Sequence, residues 1–425
     1  MARRSYPFYG WMILAITIFS MPLIYGIRNS FSVFFSHILR EYGWSRGSIS
    51  LMLSLNLFLY GIAAPFVGFL ISRWKPRRLL FIGITILAVA TVGCAFAERL
   101  WHFYLLFGFV NSLGCAFAGW PILAPALMNW FAHRRGLVMG LGQMGAGLSF
   151  VYVVFTRFVI SMVGWRSAFF VLAGVLVVFV FPLFFFLFTY DPKEKGLKAF
   201  GQMEPFPAGD PSGEKRVNVR PVIAAESFRE ILKTPQLWFL VIAYALYNGV
   251  GIYLVLAHQV KFTEDVGYSN LFGVSIFGLF GITLVIGQFS GFLSDWWGRE
   301  KTLTLAASLS TTALLALLSV QDTSKPWLLY LYAICFGYGA GLFSPTMFAS
   351  AADLFQGPHF GSVGGLLLTG LGAGAAVGPW LGGHLYDISG TYQVAFVVCI
   401  VCIVAACFFM WMAAPRKVQI RKGLS

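Results

Sequence analysis

The sequence GFLISRWKPRR occupies residues 68–78, and the similar sequence GFLSDWWGREK occupies residues 291–301. Each stretch is basic and lies between two long apolar segments. A second pair, GWRSAF at 164–169 and GTYQVAF at 390–396, repeats at almost the same spacing. A repeat of this length indicates two related halves in tandem, because solenoid repeats are much shorter.

The composition is that of a membrane protein. Hydrophobic residues make up 58% of the chain and charged residues 11%, which leaves too little polar surface to cover a soluble particle. The apolar stretches are continuous, a pattern that favours helices over the alternating strands of a barrel. We therefore predict an all-α polytopic protein with twelve transmembrane helices in two six-helix bundles. The predicted spans are 11–35, 49–72, 79–97, 103–128, 137–163, 169–188, 237–257, 271–294, 303–320, 327–349, 363–385 and 394–412.

The basic residues predict the orientation. With residue 1 in the cytoplasm, the inner loops and tails hold 22 of the 30 Lys and Arg residues and the outer loops hold six. The remaining two, Arg28 and Arg157, lie within predicted helices. This asymmetry predicts cytoplasmic termini in a bacterial inner membrane or a plasma membrane. The net charge of +14 is then a topology signal and an attraction to anionic lipid, and we predict no nucleic-acid partner.

One long polar stretch divides the chain. Residues 191–235 contain Pro, Gly and eight Lys or Arg residues, which is typical of a linker, and a short helix is expected near 225–232. The predicted domains are an N-terminal six-helix bundle at 1–190, a cytoplasmic linker at 191–235 and a C-terminal six-helix bundle at 236–425.

Two short sequence patterns match motifs of metal and cofactor sites, but the neighbouring features that such sites require are absent from the sequence. Cys399 and Cys402 have C-x-x-C spacing, but no second pair or histidine accompanies them in this apolar segment. Residues 140–145 satisfy G-x-G-x-x-G, but no predicted strand precedes them. We therefore expect no metal, no cofactor and no enzymatic activity.

The duplicated turns resemble the signature that follows helices two and eight in the major facilitator superfamily. The second copy fits this signature well, whereas in the first copy Ser72 stands at the acidic position and Lys75 at a glycine position. The resemblance implies a conformational latch with a weaker first half. The latch residues that it implies are Gly68, Arg73, Arg77, Gly291, Asp295, Gly298 and Arg299.

The first half also resembles the monocarboxylate transporter family and bacterial carriers of monocarboxylate or oxalate type. WFAHRRGLVMGLGQMGAG at 130–147 is similar to that family's helix-five signature. RNSFSVFF at 28–35 is similar to the region of its helix-one lysine, with Arg28 or Asn29 at about that place. The membrane-embedded acid and arginine of the family's helix eight are missing, since 270–294 carries no charge.

Arg28 lies in the outer half of the first predicted helix. An arginine inside a membrane costs about 2.5–3.5 kcal/mol on insertion scales, unless a cavity or a counter-ion receives it. None of the sixteen acids lies in the middle of a predicted helix, so an anionic substrate is a natural partner, and a guanidinium binds a carboxylate bidentately. The alternative is that Arg28 extends to the lipid headgroups, and this alternative is favoured for Arg157.

Other polar residues of the predicted helices share the depth at which a central cavity is expected. Hydroxyl-bearing aromatics and amides suit a small organic anion, although each could instead make hydrogen bonds between helices. His258 is a candidate proton relay, with an interfacial histidine as the alternative. The candidate substrate-binding residues are Arg28, Asn29, Tyr60, Gln143, Tyr247, Asn248, Tyr253 and Tyr338.

These features predict a secondary active transporter that moves a small organic anion, chiefly a monocarboxylate, by alternating access of its two halves. A proton is a candidate second substrate. The protein is expected to lie in the lipid bilayer and to function as a monomer. Three alternatives stay open: a carrier of neutral or amphipathic compounds such as a drug exporter, a non-transporting membrane receptor, and an integral membrane enzyme.

Overall fold

The computed structural model describes residues 7–71, 73–131, 135–200, 228–355 and 360–413. Its helices confirm the predicted fold class, because twelve of them in these ranges are long and apolar enough to cross a membrane. They are α1 Tyr9–Tyr42, α2 Arg46–Ile71, α3 Pro76–Ala95, α4 Leu100–Trp130, α5 Val138–Val163, α6 Trp165–Leu187, α7 Pro235–Val266, α8 Asn270–Trp297, α9 Arg299–Leu318, α10 Trp327–Leu354, α11 Ser362–Ser389 and α12 Gln393–Ala413. Within the same ranges, β structure is limited to an isolated bridge between Phe131 and Phe200.

Several of these helices are composite: α4, α6 and α7 contain π-helical segments, α8 contains a 3-10 turn, and α1 is interrupted at Ser30. The pieces are Pro7–Asn29 and Phe31–Tyr42 in α1; Leu100–Phe103, Tyr104–Val110, Asn111–Ala118 and Trp120–Trp130 in α4; Trp165–Val175, Leu176–Val180 and Leu183–Leu187 in α6; Pro235–Tyr244, Ala245–Ile252 and Tyr253–Val266 in α7; and Asn270–Phe289, Ser290–Phe292 and Leu293–Trp297 in α8. The helices of α5 and α11 extend to Arg135–Val163 and Phe360–Ser389.

We call α1–α6 the N half and α7–α12 the C half. Between them, the described residues form a 3-10 turn at Pro192–Lys195 and a short helix at Phe228–Leu232, while 201–227 lie outside the described residues. An even number of spans places the first and last described residues at one end of the bundle. We call this end the terminus side and the opposite end the far side.

Two pairs of helices carry most of the contact between the halves: α2 packs on α11, and α5 packs on α8. Glycines allow the backbones to approach closely. A Cβ atom added to Gly61 would lie 2.9 Å from the Cα atom of Gly372, and one added to Gly281 would lie 2.7 Å from the Cβ atom of Phe150. These contacts are tight enough that a single methyl group would force the halves apart.

Polar contacts close the far side. The Arg46 Nη1 atom at the start of α2 lies 2.5 Å from the Asp265 Oδ2 atom at the end of α7. Asp387, near the end of α11, accepts hydrogen bonds from the backbone N–H groups of Arg46 and Gly47 at 3.0 and 2.8 Å. A carboxylate of the C half therefore binds the free N–H groups at the N-terminus of an N-half helix, where negative charge is favoured.

Candidate functional site

A cavity of about 170 Å³ lies between the two halves. Its lining comes from α1, α2, α4 and α5 of the N half and from α7, α8, α10 and α11 of the C half. Most of the lining is aliphatic or aromatic, and Arg28 is the one charged side chain among the described lining residues. Six of the eight sequence-predicted substrate residues line it, namely Arg28, Asn29, Tyr60, Gln143, Asn248 and Tyr253.

Arg28 is 6% exposed, yet its guanidinium has no hydrogen bond or ion pair to any residue that the structure describes. The Nε and Nη1 atoms are both buried without a partner. The guanidinium carbon lies 4.7 Å from the ring centre of Tyr25 and 5.2 Å from that of Tyr60. Such cation–π contacts offset part of the cost of burial but leave the N–H donors unused. The cavity is therefore lined by a positive charge whose N–H donors are unused within the described structure.

Tyr25 holds this arrangement in place, and the sequence analysis missed it. The hydroxyls of Tyr25 and Tyr60 share a hydrogen bond of 2.9 Å, and the Tyr25 hydroxyl also accepts the backbone N–H of Trp120 at 2.9 Å. That N–H is free because α4 is interrupted at Gly119, where a Cβ atom would lie 2.3 Å from the Tyr25 hydroxyl. The three-residue spacing from Tyr25 to Arg28 was the available signal, since it places both on one helix face.

Six further polar residues of the cavity fall into two sets. In the first set, the partners are within the protein: Asn29 Nδ2 donates to Ser149 Oγ at 2.6 Å, and the hydroxyls of Tyr244 and Ser344 lie 3.1 Å apart. The second set consists of the amides of α7 and α8. Their buried Asn248 Nδ2 and Gln288 Oε1 atoms have no hydrogen-bond partner in the described structure. Gln288 was not among the sequence-predicted residues.

Two predicted substrate residues do not line the cavity. The Tyr247 hydroxyl shares a 2.6 Å hydrogen bond with Ser310 of α9, and its ring stacks on Phe343 of α10 at 3.7 Å between ring centres. Tyr338 lies on α10 where its backbone approaches α8, since its carbonyl oxygen would lie 2.3 Å from a Cβ atom added to Gly287. Tyr247 thus joins helices of the C half, and neither tyrosine belongs with Arg28.

His258 is completely buried and lies outside the cavity lining, where it joins the halves toward the far side. Its Nε2 atom lies 2.8 Å from the Pro379 carbonyl and 3.2 Å from the hydroxyl of Ser50 in the N half. Its Nδ1 atom lies 3.3 Å from the Tyr392 hydroxyl, which also accepts from Arg46 Nη1 at 2.7 Å. Burial raises the pKa of Tyr392, so this hydroxyl stays protonated and can donate to Nδ1.

In the C half, Arg299 is the centre of the sequence-predicted latch. Its Nη1 atom lies 2.6 Å from Asp295 Oδ1, and its Nε atom lies 2.8 Å from Asp353 Oδ2. The Asp295 side chain is 63% exposed and that of Asp353 is 22% exposed, so the second pair is the better shielded. Gly298 precedes Arg299 with φ of 96°, a conformation that favours glycine. Arg299 thereby links α8, α9 and α10 within one half.

Among the described residues, the arginines of the corresponding turn in the N half have aromatic partners. The guanidinium carbon of Arg73 lies 4.5 Å from the ring centre of Phe69, and that of Arg77 lies 5.2 Å from the ring centre of Phe185. Ser72, which stands at the acidic position of the signature, lies outside the described residues. The two copies of the duplicated turn therefore use different contacts.

The glycines of the two turns differ as well. A Cβ atom added to Gly291 would lie 3.0 Å from the ring of Pro345, whereas one added to Gly68 would meet nothing within 4 Å. Close helix packing thus requires the glycine only in the second copy.

Two packed halves, twelve spanning helices and a central cavity between the halves define a membrane transporter of the two-bundle class. The chain belongs to the Major Facilitator Superfamily, whose sequence profile matches residues 14–348 and 304–424. This finding confirms the resemblance drawn from the duplicated turns.

Relatives and solved structures agree with this assignment. Monocarboxylate transporter 13 of Rattus norvegicus is 25% identical over 393 residues, which cover 92% of this chain and 85% of that protein. An uncharacterised MFS-type transporter of Bacillus subtilis is 23% identical over 404 residues, covering 94% and 93%. A bacterial homologue of the human lysosomal transporter Spinster, solved in an inward-facing and occupied conformation, superposes with a TM-score of 0.68 at 16% identity, covering 96% and 97%. That last likeness shows the fold alone.

Proposed function

We propose that this protein is a secondary carrier of a small organic anion, most naturally a monocarboxylate, and that Arg28 binds the anion. The observation that carries the proposal is the buried guanidinium, which faces a cavity between the halves with its Nε and Nη1 donors unused. A buried charge is stable only with a partner, and no acid lines the described cavity. A carboxylate from solution supplies both the missing charge and two acceptor oxygens.

Alternating access supplies the transport step. The far side is closed by Arg46, Asp265 and Asp387, and these contacts must break when the halves rock to open that side. The excess of basic residues on the terminus side supports cytoplasmic termini, so the far side is the exterior of an inner or plasma membrane. The functional unit is a monomer, with each half supplying part of the cavity.

A proton that is coupled to transport would bind at His258. This imidazole joins the two halves through Ser50, so opening of the far side would expose it to the exterior. Arg299 with its partners Asp295 and Asp353 acts as a latch that holds the C half together while it rocks. The contact of Arg73 with Phe69 does the same in the N half.

Flux into proteoliposomes tests the proposal. The wild-type protein should take up radiolabelled monocarboxylates, and Arg28→Gln should lose nearly all of this uptake at equal reconstitution. Arg157→Gln is the matched control, because this second intramembrane arginine bonds Asn270 and does not line the cavity. Uptake of neutral compounds independent of Arg28 would favour the neutral-compound carrier, and anion binding without flux would favour a receptor.

A further inference from the structure

The C half presents an uncharged wall to the cavity, and two amides of that wall have unused polar atoms. Asn248 Nδ2 on α7 is a donor, Gln288 Oε1 on α8 is an acceptor, and both atoms are buried without a hydrogen-bond partner in the described structure. Both residues line the same cavity as Arg28. Buried polar atoms are seldom left unpaired, so unpaired ones inside a cavity indicate where a ligand or water completes the bonding.

Two neighbouring pairs of polar groups in the cavity are already bonded within the protein. Asn29 is bonded to Ser149, and Tyr244 to Ser344. The cavity therefore has an unused cation in the N half and an unused donor and acceptor in the C half. A ligand that uses all three combines a negative group for Arg28 with a neutral hydrogen-bonding group for the two amides.

The chemistry of the second group follows from this pair of amides. A hydroxyl suits this pair, because it can accept from a donor such as Asn248 Nδ2 and donate to an acceptor such as Gln288 Oε1. A second carboxylate can only accept, and it would lose its hydration in the C half without any cation among the described lining residues. An ammonium group can only donate, and it would find no carboxylate there.

We propose that Asn248 and Gln288 are specificity-determining residues that recognise a neutral polar group distant from the carboxylate. The substrate class is then a monocarboxylate with a terminal hydroxyl, carbonyl or amide, and dicarboxylates and zwitterions are rejected. This inference rests on the proposed function, in which Arg28 binds the carboxylate. A ligand held by both halves also binds the closed arrangement more tightly than an open one, as coupling requires.

The test is a matched set of six-carbon acids that differ only at the terminal group: hexanoate, 6-hydroxyhexanoate, adipate and 6-aminohexanoate. Dissociation constants are measured on the purified wild-type protein by titration calorimetry. We expect 6-hydroxyhexanoate to bind about fivefold or more tightly than hexanoate, as two added hydrogen bonds imply. Adipate and 6-aminohexanoate should bind at least fivefold more weakly than hexanoate.

Variants assign the preference to its residues. Asn248→Leu and Gln288→Met should each reduce the ratio of the hexanoate dissociation constant to the 6-hydroxyhexanoate dissociation constant to about twofold or less. Gln259→Leu is the control, since this amide lies on α7 outside the cavity lining.

The outcomes separate the two proposals. If wild type binds hexanoate and 6-hydroxyhexanoate equally, or if the variants keep the preference, the specificity inference is wrong while anion binding stands. If no acid of the set binds, or if Arg28→Gln binds them all unchanged, the proposed function itself is overturned.

Discussion

Asp387→Asn is expected to release the closure of the far side. The Asp387 carboxylate accepts the backbone N–H groups of Arg46 and Gly47 across the boundary between the halves, at 3.0 and 2.8 Å. These N–H groups begin α2 and have no partner within their own helix. The substitution keeps the shape of the side chain but removes the charge from the positive end of a helix dipole.

The magnitude follows from these contacts. Hydrogen bonds to a charged group contribute about 1.5–3 kcal/mol to stability, and an acid at a helix N-terminus adds about 0.3–1 kcal/mol. The asparagine amide retains part of this stabilisation. We therefore expect the closed state to lose about 2 kcal/mol of stability, while the open state is unaffected. Because every 1.4 kcal/mol is a factor of ten, the ratio of closed to open molecules should fall about 30-fold.

Cysteine labelling measures the change. Leu256 is 4% exposed and lines a small extension of the cavity beside Arg28. A cysteine at that position therefore reacts with an impermeant maleimide only when the cavity opens to the side on which the reagent is added. Added from the far side, the reagent should label Leu256→Cys at least tenfold faster in the Asp387→Asn background. Asp322→Asn is the control, since this exposed acid lies in a far-side loop and its hydrogen bonds within the described structure are to Ser324 of the same loop. An unchanged labelling rate in Asp387→Asn would refute the assignment of closure to this carboxylate.

Further predictions concern packing, the latch and topology. Gly61→Ala places a methyl group 2.9 Å from the Cα atom of Gly372 and should cut flux at least tenfold. Gly68→Ala is the control, because its methyl group meets nothing within 4 Å and transport should equal that of wild type. Equal activities of the two variants would show that the α2–α11 contact does not limit transport. Asp353→Asn should slow flux more than Asp295→Asn, because its ion pair is the less exposed, and the reverse order would contradict this ranking of the two pairs. A single cysteine in the linker between the halves should be labelled by impermeant reagents only in permeabilised cells. Labelling in intact cells would show that the orientation is opposite to the one proposed.

The sequence predicted which helices carry polar residues but not the direction in which their side chains point. Hydropathy and counting along a helix place Tyr247 and Asn248 at the same level, and only the packed structure shows that the tyrosine turns to Ser310 while the amide faces the cavity. Helices that are apolar on every side give no stripe from which the inward face can be identified. Gln288 was missed for a related reason, since one amide within the apolar helix α8 gives no sign of the side on which it lies.

The helix ends show a second limit of the sequence. Spans were predicted to end near residues 35 and 257, before the charged residues that follow, but α1 and α7 continue to Tyr42 and Val266. The Arg40 and Glu264 side chains of these extensions form an ion pair at 3.1 Å across the halves. Pairing between distant parts of the chain lowers the cost of charge at the membrane edge, and a local pattern cannot report it.

The most direct test of the account is the affinity of Arg28 variants for a monocarboxylate, measured by calorimetry at matched pH on folded protein. Loss of a charge-assisted pair in a desolvated site costs about 2–5 kcal/mol, so Arg28→Gln should bind well over tenfold more weakly. Arg28→Lys should recover only part of this, because an ammonium lacks the paired donors of a guanidinium. An affinity of Arg28→Gln within about threefold of wild type, roughly 0.7 kcal/mol, would contradict the assignment of Arg28 as the anion-binding group.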